Sequence, residues 1–127
     1  MKLRALTTLC LIASLFVACR TAPILNPSVT LTPPASASLE EIGRAIVATG
    51  TRLGWVIQVE GPGEARGSLD LRGHQAVVKI LFSKTSLRID YVSSVNLMHS
   101  GDEIHHNYNN WVKNLQVRIQ RKVAALD

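Results

Sequence analysis

The sequence predicts an α+β fold: a four-stranded antiparallel meander sheet with an N-terminal and a C-terminal helix packed on one face, in the order α-β-β-β-β-α. Three observations predict it. Apolar residues recur at helical spacing from Leu39 to Leu53, they do so again from Tyr108 to Val123, and four alternating runs separated by tight turns lie between. A signal peptide helix and a proline-rich tether are expected ahead of this domain, dividing the chain into residues 1–18, 19–37 and 38–127. A length of 127 residues with 46% hydrophobic side chains leaves room for one domain with a packed core.

The first helix has a start signal. Ser38-Leu39-Glu40-Glu41 fits a capping box, in which the serine oxygen accepts from the amide of Glu41 and the glutamate reaches back. Leu39, Ile42, Ile46 and Leu53 then give it one apolar face, Gly54 suits the left-handed residue that ends it, and Gly50 weakens its last turn.

The strand runs follow in order. Trp55–Glu60 alternates, Gly61-Pro62-Gly63 turns, and Ala65–Leu71 alternates with Leu69 and Leu71 on one face and Arg66, Ser68 and Asp70 on the other. Arg72-Gly73 makes the next turn. Ala76–Ser83 points Val78, Ile80 and Phe82 inward, Lys84-Thr85 turns, and Leu87–Val92 points Leu87, Ile89 and Tyr91 inward. Tight turns make sequential strands antiparallel neighbours. The second helix is expected from Asn107, as N-cap, to about Ala125, with Tyr108, Trp111, Val112, Leu115, Ile119 and Val123 as its apolar stripe and Trp111 as its core anchor.

The amino terminus carries an export signal. Lys2 and Arg4 precede Leu6–Val17, an uncharged and mostly apolar stretch too short to span a bilayer comfortably, which ends in Ala18-Cys19. Leu15-Phe16-Val17-Ala18-Cys19 resembles the lipobox of bacterial lipoproteins, with Phe16 where leucine is usual. The resemblance implies that Cys19 is diacylglycerated on sulfur and becomes the new N-terminus. The alternatives are ordinary signal-peptidase cleavage near Ala18 and an uncleaved anchor. Cysteine arithmetic favours acylation: Cys10 lies in the segment removed, so Cys19 alone remains and no internal disulfide can form. Arg20, rather than Asp, follows the cysteine, and by resemblance to lipoprotein sorting in Gram-negative bacteria this favours the outer membrane.

Residues 20–37 hold four of the five prolines (Pro23, Pro27, Pro33 and Pro34) with several Ser and Thr, and read as an extended spacer between membrane and domain. The alternative is that Ile24, Leu25, Val29 and Leu31 dock on the domain as an edge strand. Charge excludes one class of partner. Setting aside Lys2 and Arg4, twelve of the fourteen basic side chains remain against nine acidic ones, scattered along the chain, which does not suit nucleic acid.

His74, Tyr91, Ser94-Val95-Asn96-Leu97 and the run Ile104–Leu115 resemble a family of short proteobacterial lipoproteins with the pattern I-H-x-x-Y-N-x-W-[IV]-x-x-L near the end. The resemblance covers roughly Gly54 to Ile119 and supplies no catalytic residues.

His74, Tyr91, Asn96, His105, Tyr108 and Asn109 come from a turn, a strand end, a loop and a helix start, as in sites built where loops meet. Either they hydrogen-bond the backbone of the irregular stretch 93–106, or they line a pocket for a small ligand or peptide. His99, His105 and His106 with Asp102 and Glu103 are metal-donor types, but adjacent histidines diverge and no H-x-x-x-H pair is present, so neither a metal nor another cofactor is expected. With no nucleophile elbow and no phosphate loop, an enzyme is not expected either. Val77, Lys79, Leu81, Arg88, Asp90 and Val92 share the sheet face turned away from the helices, a mixed surface suited to an envelope protein partner. The expected function is thus a non-catalytic binding module anchored to a membrane through Cys19. The alternative is a ligand- or metal-binding lipoprotein using the His/Tyr/Asn cluster.

Overall fold

The computed structural model describes residues 20–127; the expected signal peptide and the expected lipidation site Cys19 lie outside the described residues. Two helices, α1 (Leu39–Arg52) and α2 (His106–Ala124), accompany seven strands. These are β1 (Thr21–Pro23), β2 (Ser28–Thr30), β3 (Trp55–Gly61), β4 (Glu64–Leu71), β5 (His74–Phe82), β6 (Ser86–Val95) and β7 (Glu103–His105).

Helix α1 begins as the capping box dictates. The amide of Glu41 donates to Ser38 Oγ at 3.1 Å, and the Glu41 carboxylate accepts from the Ser38 amide at 2.8 Å. Gly54, at φ +89°, follows the C-cap Leu53 in the left-handed conformation glycine adopts without strain. Gly50 is a contact residue rather than a weak point: a Cβ there would run into the side chain of Ile57, so its hydrogen lets α1 settle on β3.

Strands β3 to β6 form the expected antiparallel meander, in register from Trp55↔Leu69 through Ala65↔Ile80 to Ile80↔Ile89. Ala65, Leu69, Val78, Ile80, Phe82, Leu87 and Ile89 point into a core shared with Ile42 and Ile46 of α1 and Val112, Leu115, Ile119 and Val123 of α2. Leu71, expected inward, is exposed because it closes the hairpin to His74 beyond the reach of either helix.

The sheet has five strands, not four. Its order is β2-β6-β5-β4-β3, and β1 and β7 form a separate two-stranded sheet. β1 and β2 come from the stretch expected to be a spacer, and β7 from the stretch 93–106 expected to be irregular. Val29 pairs with Leu87, Ala22 pairs with Ile104, the amide of Leu31 donates to the Thr85 carbonyl at 2.9 Å, and Leu31 is 2% exposed. Proline composition misleads here because these prolines sit where a missing N–H is tolerated. Pro23 ends the short strand β1, and Pro27 contributes only its carbonyl, which accepts from the amide of Ile89 at 3.0 Å.

Helix α2 also differs at its start. His105, not Asn107, is the N-cap, and its Nδ1 accepts from the amide of Asn107 at 3.1 Å. Trp111 is only half-buried, one residue off the stripe that faces the core, and the anchor is instead the fully buried Tyr108. Among the described residues no helix is long and apolar enough to cross a membrane.

If the N-terminal segment is part of the domain, Leu31→Ala lowers its stability by about 2–5 kcal/mol, the range for emptying a buried leucine site. Denaturant unfolding of the purified protein measures this, and an unchanged midpoint would mark the segment as a mere spacer.

Candidate functional site

The six candidate side chains of the His/Tyr/Asn set do not converge on one cavity. His74, the first residue of β5, donates from Nδ1–H to the Asn96 carbonyl at 2.6 Å, and Asn96 Nδ2 reaches back to the Gly73 carbonyl at 3.5 Å. The pair ties the β4–β5 turn to the loop after β6. Asn109 clamps the N-terminal segment: its Oδ1 accepts from the amide of Leu25, and its Nδ2 donates to the carbonyl of Pro23, both at 2.9 Å. His105 spends Nδ1 on the cap of α2. Its ring lies 4.6 Å from that of His106, and the pKa of the imidazole is lowered first by burial, then by His106, His74 and Arg20 nearby. Neutral His105 is the form that accepts the cap hydrogen bond.

The two tyrosines pack together. Tyr91 bonds Ser94 Oγ through its hydroxyl at 2.8 Å and meets the ring of Tyr108 edge-on at 5.6 Å. Tyr108 is fully enclosed, and its hydroxyl has no hydrogen-bond partner among the described residues. Burial holds that hydroxyl protonated well above the ordinary phenol range, with Tyr91 and Asp90 adding to the effect. The ring of Tyr108, one of the candidate ligand-binding side chains of the sequence, lies in the core. The other side chains hold loops, strand ends and a helix start together. A shallow concavity does include His74, but it is completed by the β4–β5 turn and Val95, not by Asn96, His105 or Tyr108.

His99 Nε2–H donates to the carbonyl of Gly101 at 3.0 Å, and among the described residues no three His, Cys, Asp or Glu side chains are placed to hold a metal ion.

The outer sheet face bears charges that are paired within the face. Lys79 meets Glu64 at 2.7 Å, Arg88 meets Asp90 at 2.7 Å, and Arg66 meets Glu60 at 3.1 Å. Such exposed pairs contribute about 0–1 kcal/mol each, but they occupy the groups that a partner would use. Leu81 lies half-buried among them.

One concavity was missed by sequence reasoning. A groove of about 800 Å³ runs between α1 and the end of β3, with Leu39, Val47 and Ala48 on one wall and Val59 and Pro62 on the other. Gly43 leaves its floor to the ring of Phe82, whose Cζ would lie 3.3 Å from a Cβ at that position. Glu40 and Arg44, paired at 2.9 Å, form a charged rim. A faint signal existed in the spacing of Leu39, Gly43 and Val47, four residues apart beside the Ile42/Ile46 stripe. What the sequence does not reveal is that β3 ends up as a sheet edge, so that Val59 looks past α1 instead of under it.

No family model matches the chain, and neither a curated protein nor a solved structure matches it.

Removing the Tyr108 hydroxyl tests the core assignment. Tyr108→Phe leaves stability unchanged or raises it by about 1 kcal/mol, because the hydroxyl is desolvated without a partner. A loss of more than about 1 kcal/mol in thermal or denaturant unfolding would show that the hydroxyl has a bonding role.

Proposed function

We propose that the chain is an exported bacterial envelope lipoprotein, anchored by acylated Cys19, whose domain is a non-catalytic binding module. Its ligand is an extended apolar segment of another envelope protein, received in the groove between α1 and β3. The observation that carries the binding reading is this groove, almost wholly apolar and lying beside a strand that pairs on one side only. An edge strand presents unpaired amides and carbonyls, and an incoming strand satisfies them while its alternate side chains fill the adjoining hollow.

The anchor reading is supported by the order of signals at the amino terminus. A basic pair, a short apolar run and Ala18-Cys19 occur in the sequence required for export followed by modification of the cysteine sulfur. Two or more acyl chains hold a protein durably where one does not, at about 0.8 kcal/mol per buried methylene. Arg20 after the cysteine supports placement in the outer membrane, and the I-H-x-x-Y-N-x-W pattern supports kinship with short proteobacterial lipoproteins.

The outer sheet face is the weaker candidate for a partner, since Lys79, Arg88 and Asp90 already have partners of their own or of their neighbours. Photo-crosslinking amino acids at Ala48 and Val59 separate the two surfaces from positions Lys79 and Leu81. In intact envelopes the groove positions are expected to yield protein adducts and the outer-face positions none. Adducts from the outer face alone would move the binding surface there, and adducts of lipid mass from the groove would make the ligand an acyl chain.

A further inference from the structure

Arg20 is already part of the folded body. Its carbonyl accepts from the amide of His106 at 3.0 Å, and from Thr21 the chain runs as β1 against β7. Only ~7 Å of backbone can separate Cys19 from the first residue of that strand. An acylated Cys19 therefore holds the domain against the bilayer, not a few tens of ångströms above it.

The surface around this point is defined by the topology. Leu71↔His74 closes the β4–β5 hairpin, Gln75↔Val95 marks the end of β6, and His105 donates from its amide to the Leu97 carbonyl at 2.8 Å. The hairpin tip, the end of β6, the following loop, β7, the start of α2 and Arg20 thus share one end of the molecule. Three large apolar side chains stand exposed there: Leu71 at 43%, Val95 at 55% and Met98 at 54%. The three non-glycine residues at positive φ among the described residues, Arg72, Asn96 and Met98, belong to this end as well, so the loop geometry that displays Met98 carries a backbone cost.

We propose that this end is the membrane-facing surface, with Leu71, Val95 and Met98 seated in the interfacial layer of a phospholipid bilayer and the domain held flush in one orientation. The proposal rests on the acylation of Cys19. Apolar side chains and a covalent anchor together give a fixed seat where either alone gives a weak one. Charge is not the driving force. Arg20 and Arg72 are offset at neutral pH by Asp70, Asp102 and Glu103, which lie at the same end. Met98 suits the role, being flexible and polarisable enough to fit an irregular acyl boundary.

The seat also fixes where the groove points. Phe82 and the Gly61-Pro62-Gly63 turn lie at the opposite end of the sheet from His74 and Val95, so the groove opens away from the bilayer.

The test uses the mature lipoprotein purified from membranes and reconstituted into vesicles of phosphatidylethanolamine and phosphatidylglycerol. Single cysteines carrying an environment-sensitive fluorophore are placed by Val95→Cys, Met98→Cys and, at the groove, Val59→Cys. Labels at 95 and 98 are expected to shift to the blue and to lose most of their emission to headgroup-quencher lipid, with the label at 59 unchanged. Intact mass of the same sample reports the anchor. An acylated protein whose labels at 95 and 98 behave like that at 59 overturns the flush seat alone, whereas an unacylated N-terminus overturns both the anchor and the seat.

Discussion

The structure depends on the attachment of residues 21–31 to the edge of the sheet. Without β2, strand β6 would present an open row of backbone groups to solvent, the situation in which edge strands recruit foreign strands. Two side chains of α2 and two of the segment itself enforce the attachment. Asn109 clamps Leu25 and Pro23, Gln120 donates to the Thr30 carbonyl at 3.0 Å, and Leu31 enters the core beside residues of both helices. Within the segment, Asn26 accepts from the amide of Tyr91 at 2.8 Å, next to the point where β6 bulges and its regular pairing slips. The Tyr91 amide faces the β2 side beyond the point where β2 pairs with β6, and an asparagine side chain supplies the missing acceptor.

This attachment gives the polar run near α2 a structural task. Asn109 falls within the run Ile104–Leu115 that resembles the family pattern, and here it functions as a clasp on the N-terminal segment. His105, in the same run, caps α2 and pairs with Thr21 across the two-stranded sheet. A cluster that reads as a site in sequence is therefore the joint between the N-terminal segment and the rest of the domain. Joints of this kind need hydrogen-bonding side chains at irregular backbone for the same reason that active sites do, which is why composition does not separate them.

Local signals were legible and distant ones were not. Ser38 and Glu41, four positions inside one turn, announced α1; Arg72-Gly73 and Lys84-Thr85 announced hairpins; the alternation of Val78, Ile80 and Phe82 announced a buried strand face. Each of these is decided by neighbours in the chain. Strand β2 is three residues long and pairs Val29 with Leu87, so neither its length nor its composition outweighs Pro27 before it and Pro33-Pro34 after it. The groove at Val59 was illegible for a related reason, since it exists only because α1 ends its coverage of β3 short of the turn. Trp111 and Tyr108 exchanged roles because the helix phase is set by Val112, Leu115 and Ile119 together, and Tyr108 keeps that phase while Trp111 does not.

An N-terminal segment built into the sheet edge makes residues 21–31 part of the folded domain and not a spacer ahead of it. The most direct measurement is amide hydrogen exchange at Ile24, Leu25 and Leu31, whose N–H groups donate to Asp102, Asn109 and Thr85. The account predicts protection of these amides comparable to that of Ile80 in β5, which is paired on both sides without the segment. Exchange at unstructured-chain rates in residues 21–31, with β5 and β6 still protected, would contradict it.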